Sequence, residues 1–291
     1  MSCASSASEW RLDGRVCLLT GATAGIGRAT AHVLASLGAD LVLVGRSRSR
    51  LKETVKSITH AMPGVKITAI VVDLSSQAEI RHLATRVLEE VPRLHVLINH
   101  AAVVTMRRDE TVDGIERQFA VNHLASFLLT NLLLDRLSES APARVVMVAS
   151  HVERDGSINL ADLQGRDEYD GWRAYRQSKL ANIMFAEELA RREAGRGITP
   201  ISLHPGVYAT ELAHVLMGWS KIMTRLRGRS LPGPDAAAYV LARAVAAPEL
   251  KGDVAIHLNE HEVATPSVQA RDAPMAAALW TECARLSGID T

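Results

Sequence analysis

Seven short apolar runs alternate with longer amphipathic ones along the chain, and that alternation leaves few folds open. Val16–Thr20, Leu41–Val44, Ile67–Val72, Val96–Ile98, Val145–Ala149, Thr199–Leu203 and Val254–Leu258 read as strands. Helical periodicity marks Arg28–Leu37, Leu51–Met62, Ser76–Val91, Thr111–Ser138, the run that carries Tyr175, Asp235–Ala246 and Ala273–Ser287. Strands separated by helices pair in parallel, with helices covering both faces. The expected fold is therefore α/β: one domain with a doubly wound, seven-stranded parallel sheet. A chain of 291 residues, 47% of them hydrophobic, can fill the core that such a sheet needs. Ligands of such sheets sit at the C-terminal ends of the strands. Gly21, Arg46, Asp73, Asn99, Ser150 and Pro205 all fall there.

The first strand runs into Gly21-Ala22-Thr23-Ala24-Gly25-Ile26-Gly27 and then into a helix. Strand, glycine-rich turn and helix open a Rossmann-type dinucleotide-binding unit. Glycines let the backbone approach a pyrophosphate, and a helix N-terminus favours its charge. The spacing is G-x-x-x-G-x-G, and a tight turn without a ligand is the alternative. At the end of the second strand stands Gly45-Arg46 instead of an acidic residue. An acid there suits the ribose hydroxyls of NAD, whereas an arginine suits the 2′-phosphate of NADP. NADP(H) is thus the expected cofactor ahead of NAD(H), with Arg46 as phosphate ligand and Arg48 and Arg50 as surface residues. Asp73 either accepts from an adenine amino group or caps the following helix.

Tyr175 and Lys179 lie four residues apart on one helix and so share a face. A cation beside a phenol lowers its pKa from about 10 toward working pH, which makes the pair a candidate acid–base device. Asn122 sits among Phe119, Val121, Leu124, Phe127 and Leu128, where a buried amide needs a partner such as a backbone carbonyl or a water. The insertion at 207–231 mixes Leu216, Trp219 and Met223 with Lys221, Arg225 and Arg227. It reads as a lid over a substrate, with a membrane-surface helix or a contact in a homo-oligomer as alternatives.

A net charge of +1 argues against nucleic acid as a partner. Three scattered cysteines suggest a reducing compartment, and no metal site is expected. Met1 to Trp10 lacks the basic and apolar regions of a signal peptide, and no apolar run reaches the length of a membrane span. A cytoplasmic protein with little membrane association is expected.

Together these pieces resemble the short-chain dehydrogenase/reductase family: Thr20 to Gly27, Asp73-Leu74, Asn122, Ser150, Tyr175-Arg176-Gln177-Ser178-Lys179 and Pro205-Gly206. Asn122-His123-Leu124, Ser178 to Asn182, Glu188 to Arg192, Leu203 to Val207 and Leu279-Trp280 are similar to its retinol-dehydrogenase-like and WW-domain-oxidoreductase-like group. The resemblance implies that Tyr175 is the general acid or base and that Lys179 tunes it and holds the nicotinamide ribose. It also implies that Ser150 binds the substrate oxygen and Asn122 positions a relay water. Cofactor contacts are implied for Gly21, Thr23, Ala24, Gly25, Ile26, Gly27, Arg46, Asp73, Leu74, Asn99, Ala101, Tyr175, Lys179, Pro205, Gly206, Val207 and Thr210. The substrate implied is an apolar ketone, aldehyde or alcohol. One departure stands out: the family usually reads Asn-Asn-Ala-Gly where this chain has Asn99-His100-Ala101-Ala102. A shifted loop and weaker cofactor binding are expected from it. A redox-neutral cyclase or isomerase, or a binding protein, is the alternative function.

Overall fold

The computed structural model describes residues 10–208 and 232–290. In chain order it contains β1 (Val16–Thr20), α1 (Gly25–Ser36), β2 (Asp40–Gly45), α2 (Arg48–Ala61), β3 (Ile67–Val71), α3 (Gln77–Glu90) and β4 (Val96–Asn99). Then come α4 (Arg117–Phe119), a π turn (Ala120–Leu124), α5 (Ala125–Glu139), β5 (Ala143–Val148), α6 (Gly171–Arg192) and β6 (Ile198–His204). From residue 232 onward follow α7 (Pro234–Ala246), β7 (Ile256–Asn259), β8 (Glu262–Val263) and α8 (Ala273–Ser287).

The strands form one sheet in the order β3-β2-β1-β4-β5-β6-β7-β8. β1 to β7 pair in parallel, as the alternation requires. Such strands are buried on both faces, which is why they read as unbroken apolar runs. Successive residues still point to opposite sides. Leu18 joins a core with α3, α5, α6 and α8, while Cys17 and Leu19 join one with α1 and α7. The winding reverses between β1 and β4, and that crevice is where a doubly wound sheet takes its ligand.

Three features differ from the sequence expectation. An eighth strand, β8, folds back antiparallel on β7 across Glu260 and His261. Glu260 takes φ 53 in this two-residue turn, a conformation that its sequence does not advertise. The helix expected from Thr111 begins at Arg117 instead. Glu116 caps it, its carboxylate accepting from Gln118 N and Phe119 N, and 111–115 form a turn around Gly114 at φ 71. The same helix is also broken by the π turn around Asn122.

α8 follows the expected bounds because both its ends carry local signals. Asp272 accepts from Met275 N, and Gly288 closes the helix in the left-handed region. No helix among the described residues is long and apolar enough to cross a membrane. The expected lid beyond Tyr208, and Thr210 with it, lies outside the described residues.

Candidate active site

A cavity of about 780 Å³ opens at the C-terminal ends of β1, β2, β4, β5 and β6. One wall is the glycine-rich turn. Gly21 takes φ 74, and a Cβ there would lie 3.0 Å from Ala101 Cα and from His100 Nδ1. A Cβ on Gly27 would come within 2.2 Å of the Gly21 carbonyl oxygen. The turn thus closes on itself and on the loop after β4 only without side chains. α1 starts at Gly25 with no side-chain cap and no acid in its first turn. Its N-terminal amides are left for an anion.

At the end of β2, a Cβ on Gly45 would approach Thr23 Cγ2 to 2.4 Å. Thr23 therefore holds the place that an acidic side chain would need. Arg46 and Ser47 line the cavity next to it. Arg50 is exposed, as expected, and also borders the cavity, because α2 begins at Arg48 and places it on that side. Asp73 and Leu74 line the opposite edge. The Asp73 carboxylate accepts from Ser75 N at 2.9 Å, and Ser76 is the residue that caps α3.

Asn99 departs from expectation. At 3% exposure its amide donates to Thr130 Oγ1 and Met147 Sδ, away from the cavity. Gly27 lies beneath the turn without reaching the cavity wall. Ala101, Pro205, Gly206 and Val207 line it, as do His204 and Tyr208. The loop after β4 is anchored by Thr20, whose hydroxyl accepts from His100 N and Ala101 N and donates to Ile98 O. That hydroxyl was invisible to sequence reading inside an apolar run. Room for His100 comes from the glycines facing it, so the Asn99-His100-Ala101-Ala102 variation is built into the turn.

Tyr175, Lys179 and Ser150 meet in the cavity wall. Two features fix their helix. Asp170 caps α6, accepting from Arg173 N, and Gly171 lets the backbone of Thr105 and Met106 pass where a Cβ would meet Thr105 O at 2.4 Å. Gln118 Nε2 donates to the Gly171 carbonyl and to Tyr169 Oη, and Tyr169 donates to the buried Glu116 carboxylate.

Burial pushes the Tyr175 phenol up to about 12, and a hydrogen bond with Ser150 pulls the other way. Lys179 Nζ lies 5.6 Å from the Tyr175 ring centroid and donates to the Val148 carbonyl at 2.9 Å. Burial pushes Lys179 down to about 8. The phenol is thus raised, contrary to the depression expected from spacing alone, because desolvation of its buried hydroxyl outweighs the Ser150 hydrogen bond. His100 is pushed down to about 4, first by burial and then by the Lys179 charge.

Asn122 stands behind the wall. Its Oδ1 accepts from Val103 N at 2.7 Å, and its Nδ2 donates to Val103 O and Ser178 Oγ. Both amide hydrogens are used, so the side chain braces the loop and has no donor left for a relay water. Among the described residues no cluster could hold a metal.

This geometry agrees with what the chain is similar to. The short chain dehydrogenase family profile matches residues 15–220. Retinol dehydrogenase 13 of Mus musculus is 37% identical over 288 residues, covering 97% of this chain and 86% of that protein. A crystal structure of an uncharacterized protein from Mycobacterium paratuberculosis superposes with a TM-score of 0.78 at 33% identity, covering 98% of this chain and 97% of the other. A short chain dehydrogenase from Burkholderia cenocepacia in complex with NADP gives 0.67 at 27% identity, covering 86% and 98%. With matches spanning nearly the whole chain and a cavity at the sheet's switch point, the protein belongs to the short-chain dehydrogenase family, in its retinol-dehydrogenase-like group.

Proposed function

We propose that the protein is an NADP(H)-dependent oxidoreductase that interconverts an apolar ketone or aldehyde and its alcohol. The observation that carries this reading is the convergence of Tyr175, Ser150 and Lys179 on the cavity that the glycine-rich turn and Arg46 also line.

The residues present fit a dinucleotide. The uncapped start of α1 and the turn around Gly21 would take the pyrophosphate, with Thr23, Ala24, Gly25 and Ile26 against it. Arg46, supported by Arg50, would take a 2′-phosphate, and Thr23 over Gly45 leaves no room for the acid that NAD favours. Asp73 and Leu74 would flank the adenine, and Lys179 would reach the nicotinamide ribose. When bound, the nicotinamide supplies or takes the hydride at the substrate carbon.

The chain's own residues handle the proton. In reduction, Tyr175 Oη gives its proton to the carbonyl oxygen as the alkoxide develops, while the Ser150 hydroxyl donates a second hydrogen bond to it. A phenol raised by burial stays protonated at neutral pH, which suits this direction. In oxidation the same oxygen accepts the alcohol proton, and the Lys179 ammonium favours the phenolate that this requires. Apolar walls at Val104, Val121 and Val207, with a relative named for retinol, support an apolar substrate. Cytoplasmic location is part of the same reading, resting on the three scattered cysteines of the sequence.

The test is nicotinamide absorbance with a panel of apolar ketones, aldehydes and alcohols that includes retinal and retinol. Titrations with NADP(H) and NAD(H) run beside it. NADP(H) should bind at least tenfold tighter. Tighter binding of NAD(H) would overturn the cofactor assignment, and cofactor binding with no turnover on any substrate would favour a redox-neutral role.

A further inference from the structure

The π turn sends two consecutive side chains to the same neighbouring helix. Asn122 reaches Ser178, and His123 reaches Asn182, one turn further along α6. On a regular α-helix adjacent residues point about 100° apart, and the wider turn narrows that angle. The second contact continues to the cavity. Asn182 Nδ2 donates at 3.2 Å to the Val148 carbonyl, the same oxygen that accepts from Lys179 Nζ at 2.9 Å.

The polarity of this chain is fixed. A carbonyl oxygen only accepts, so the Asn182 amide must present Nδ2 to it and Oδ1 to the histidine. His123 must then carry its proton on Nδ1 to donate to Oδ1 at 3.0 Å. His123 and Asn182 are both buried, and neither lines the cavity.

On the reading of the site as an NADP(H)-dependent oxidoreductase, we propose that His123 and Asn182 are positioning residues for Lys179. β4 ends at Asn99 opposite Met147, so the ladder offers Val148 no partner on that side. With Asn182 in place, Lys179 can turn from the Val148 carbonyl to the cofactor ribose without leaving a buried acceptor unbonded. Without it, every cofactor binding event orphans that carbonyl, a penalty that buried polar groups carry in full. Val148 also stands two residues before Ser150, so the pair steadies the strand end that presents the serine.

The experiment compares Asn182→Leu, His123→Leu and His123→Asn with the unmodified protein. Leu and Asn have nearly the same shape, and an asparagine amide hydrogen falls where histidine Nδ1 does. Both His123 variants lose the ring contacts with Phe119 and Phe185, so their melting temperatures should fall together. NADP(H) affinity, read by titration without any substrate, should weaken five- to tenfold in Asn182→Leu and His123→Leu. His123→Asn should recover most of that loss, and kcat should follow the same order. Equal NADP(H) affinity in the two His123 variants would overturn the proposal. So would unchanged affinity in Asn182→Leu. An unmodified protein that binds neither nicotinamide cofactor would instead overturn the functional reading itself, a result that no variant is needed to see.

Discussion

Tyr175 illustrates how far one residue's chemistry depends on its surroundings. Its hydroxyl touches Ser150 and is raised by burial, so removing that hydroxyl while keeping the ring isolates the proton step. Tyr175→Phe should fold and bind NADP(H) normally, while turnover falls by roughly two to four powers of ten, the usual scale for one acid–base group. Near-normal turnover would end the proposed mechanism. Arg46 is read in the same way. Arg46→Asp should lose at least tenfold in NADP(H) affinity, and titration of both cofactors should show the preference abolished or reversed. Retained preference would assign the phosphate to Arg50 instead. The alternating arginines of 46–50 made Arg46 legible from spacing, but only the start of α2 at Arg48 reveals which of its neighbours borders the cavity.

The π turn is the element on which the site's rear wall depends. Its extra residue aligns Asn122 with Val103 and Ser178 and aligns His123 with Asn182. Deleting Val121 should restore α-helical register and rotate both side chains off their partners. Stability should fall by roughly 2–4 kcal/mol from the lost buried hydrogen bonds. Far-ultraviolet circular dichroism should stay helical, and turnover should drop at least tenfold. Val121→Ala is the control, since it trims the side chain without changing register. Nothing in Phe119 to Leu128 marked this turn in sequence, because apolar spacing of 3 and 4 fits both helix types. Asn122 alone signalled that something in the run needed a partner.

At the scale of the whole molecule, α8 binds the two long helices together. Trp280 stacks on Phe185 at 5.3 Å between centroids and meets Phe127 edge-on at 4.9 Å, and Arg192 also lies over its ring. Trp280→Ala should destabilise the fold by about 3–5 kcal/mol, read by urea denaturation, because the cavity opens between packed helices. Acid should destabilise it too. Burial pushes His100, His123, His204 and His257 down to about 4 from the usual 6.5. Between those values the unfolded chain binds more protons than the folded one, so stability rises with pH across that window and is lost as pH falls through it. His123→Leu should flatten the fall between pH 6.5 and 4 by on the order of 2–3 kcal/mol, since one histidine no longer needs to charge on unfolding. Unfolding curves at pH 4.5 and 7 check this, and an unchanged pH dependence would refute it.

The sequence by itself determined the seven parallel strands of the sheet. Periodicity is local, so unbroken apolar runs, Asp272 before a helix and Gly288 after it all state their structure within a few residues. Strand ends followed, and with them the neighbourhood of Gly21, Arg46, Asp73, Ser150 and Tyr175. What only the tertiary structure decided is which way each of these groups faces and what water it loses. Asn99 ends a strand as Gly45 and Thr20 do, yet its side chain turns to Thr130, thirty-one positions away in the chain. Tyr175 and Lys179 were found by their spacing. Their ionisation was not, because desolvation is set by every atom packed around them. The shared Val148 carbonyl joins residues from β5, α6 and the π turn, and hydrogen bonds between partners so far apart leave no pattern that one sequence can display.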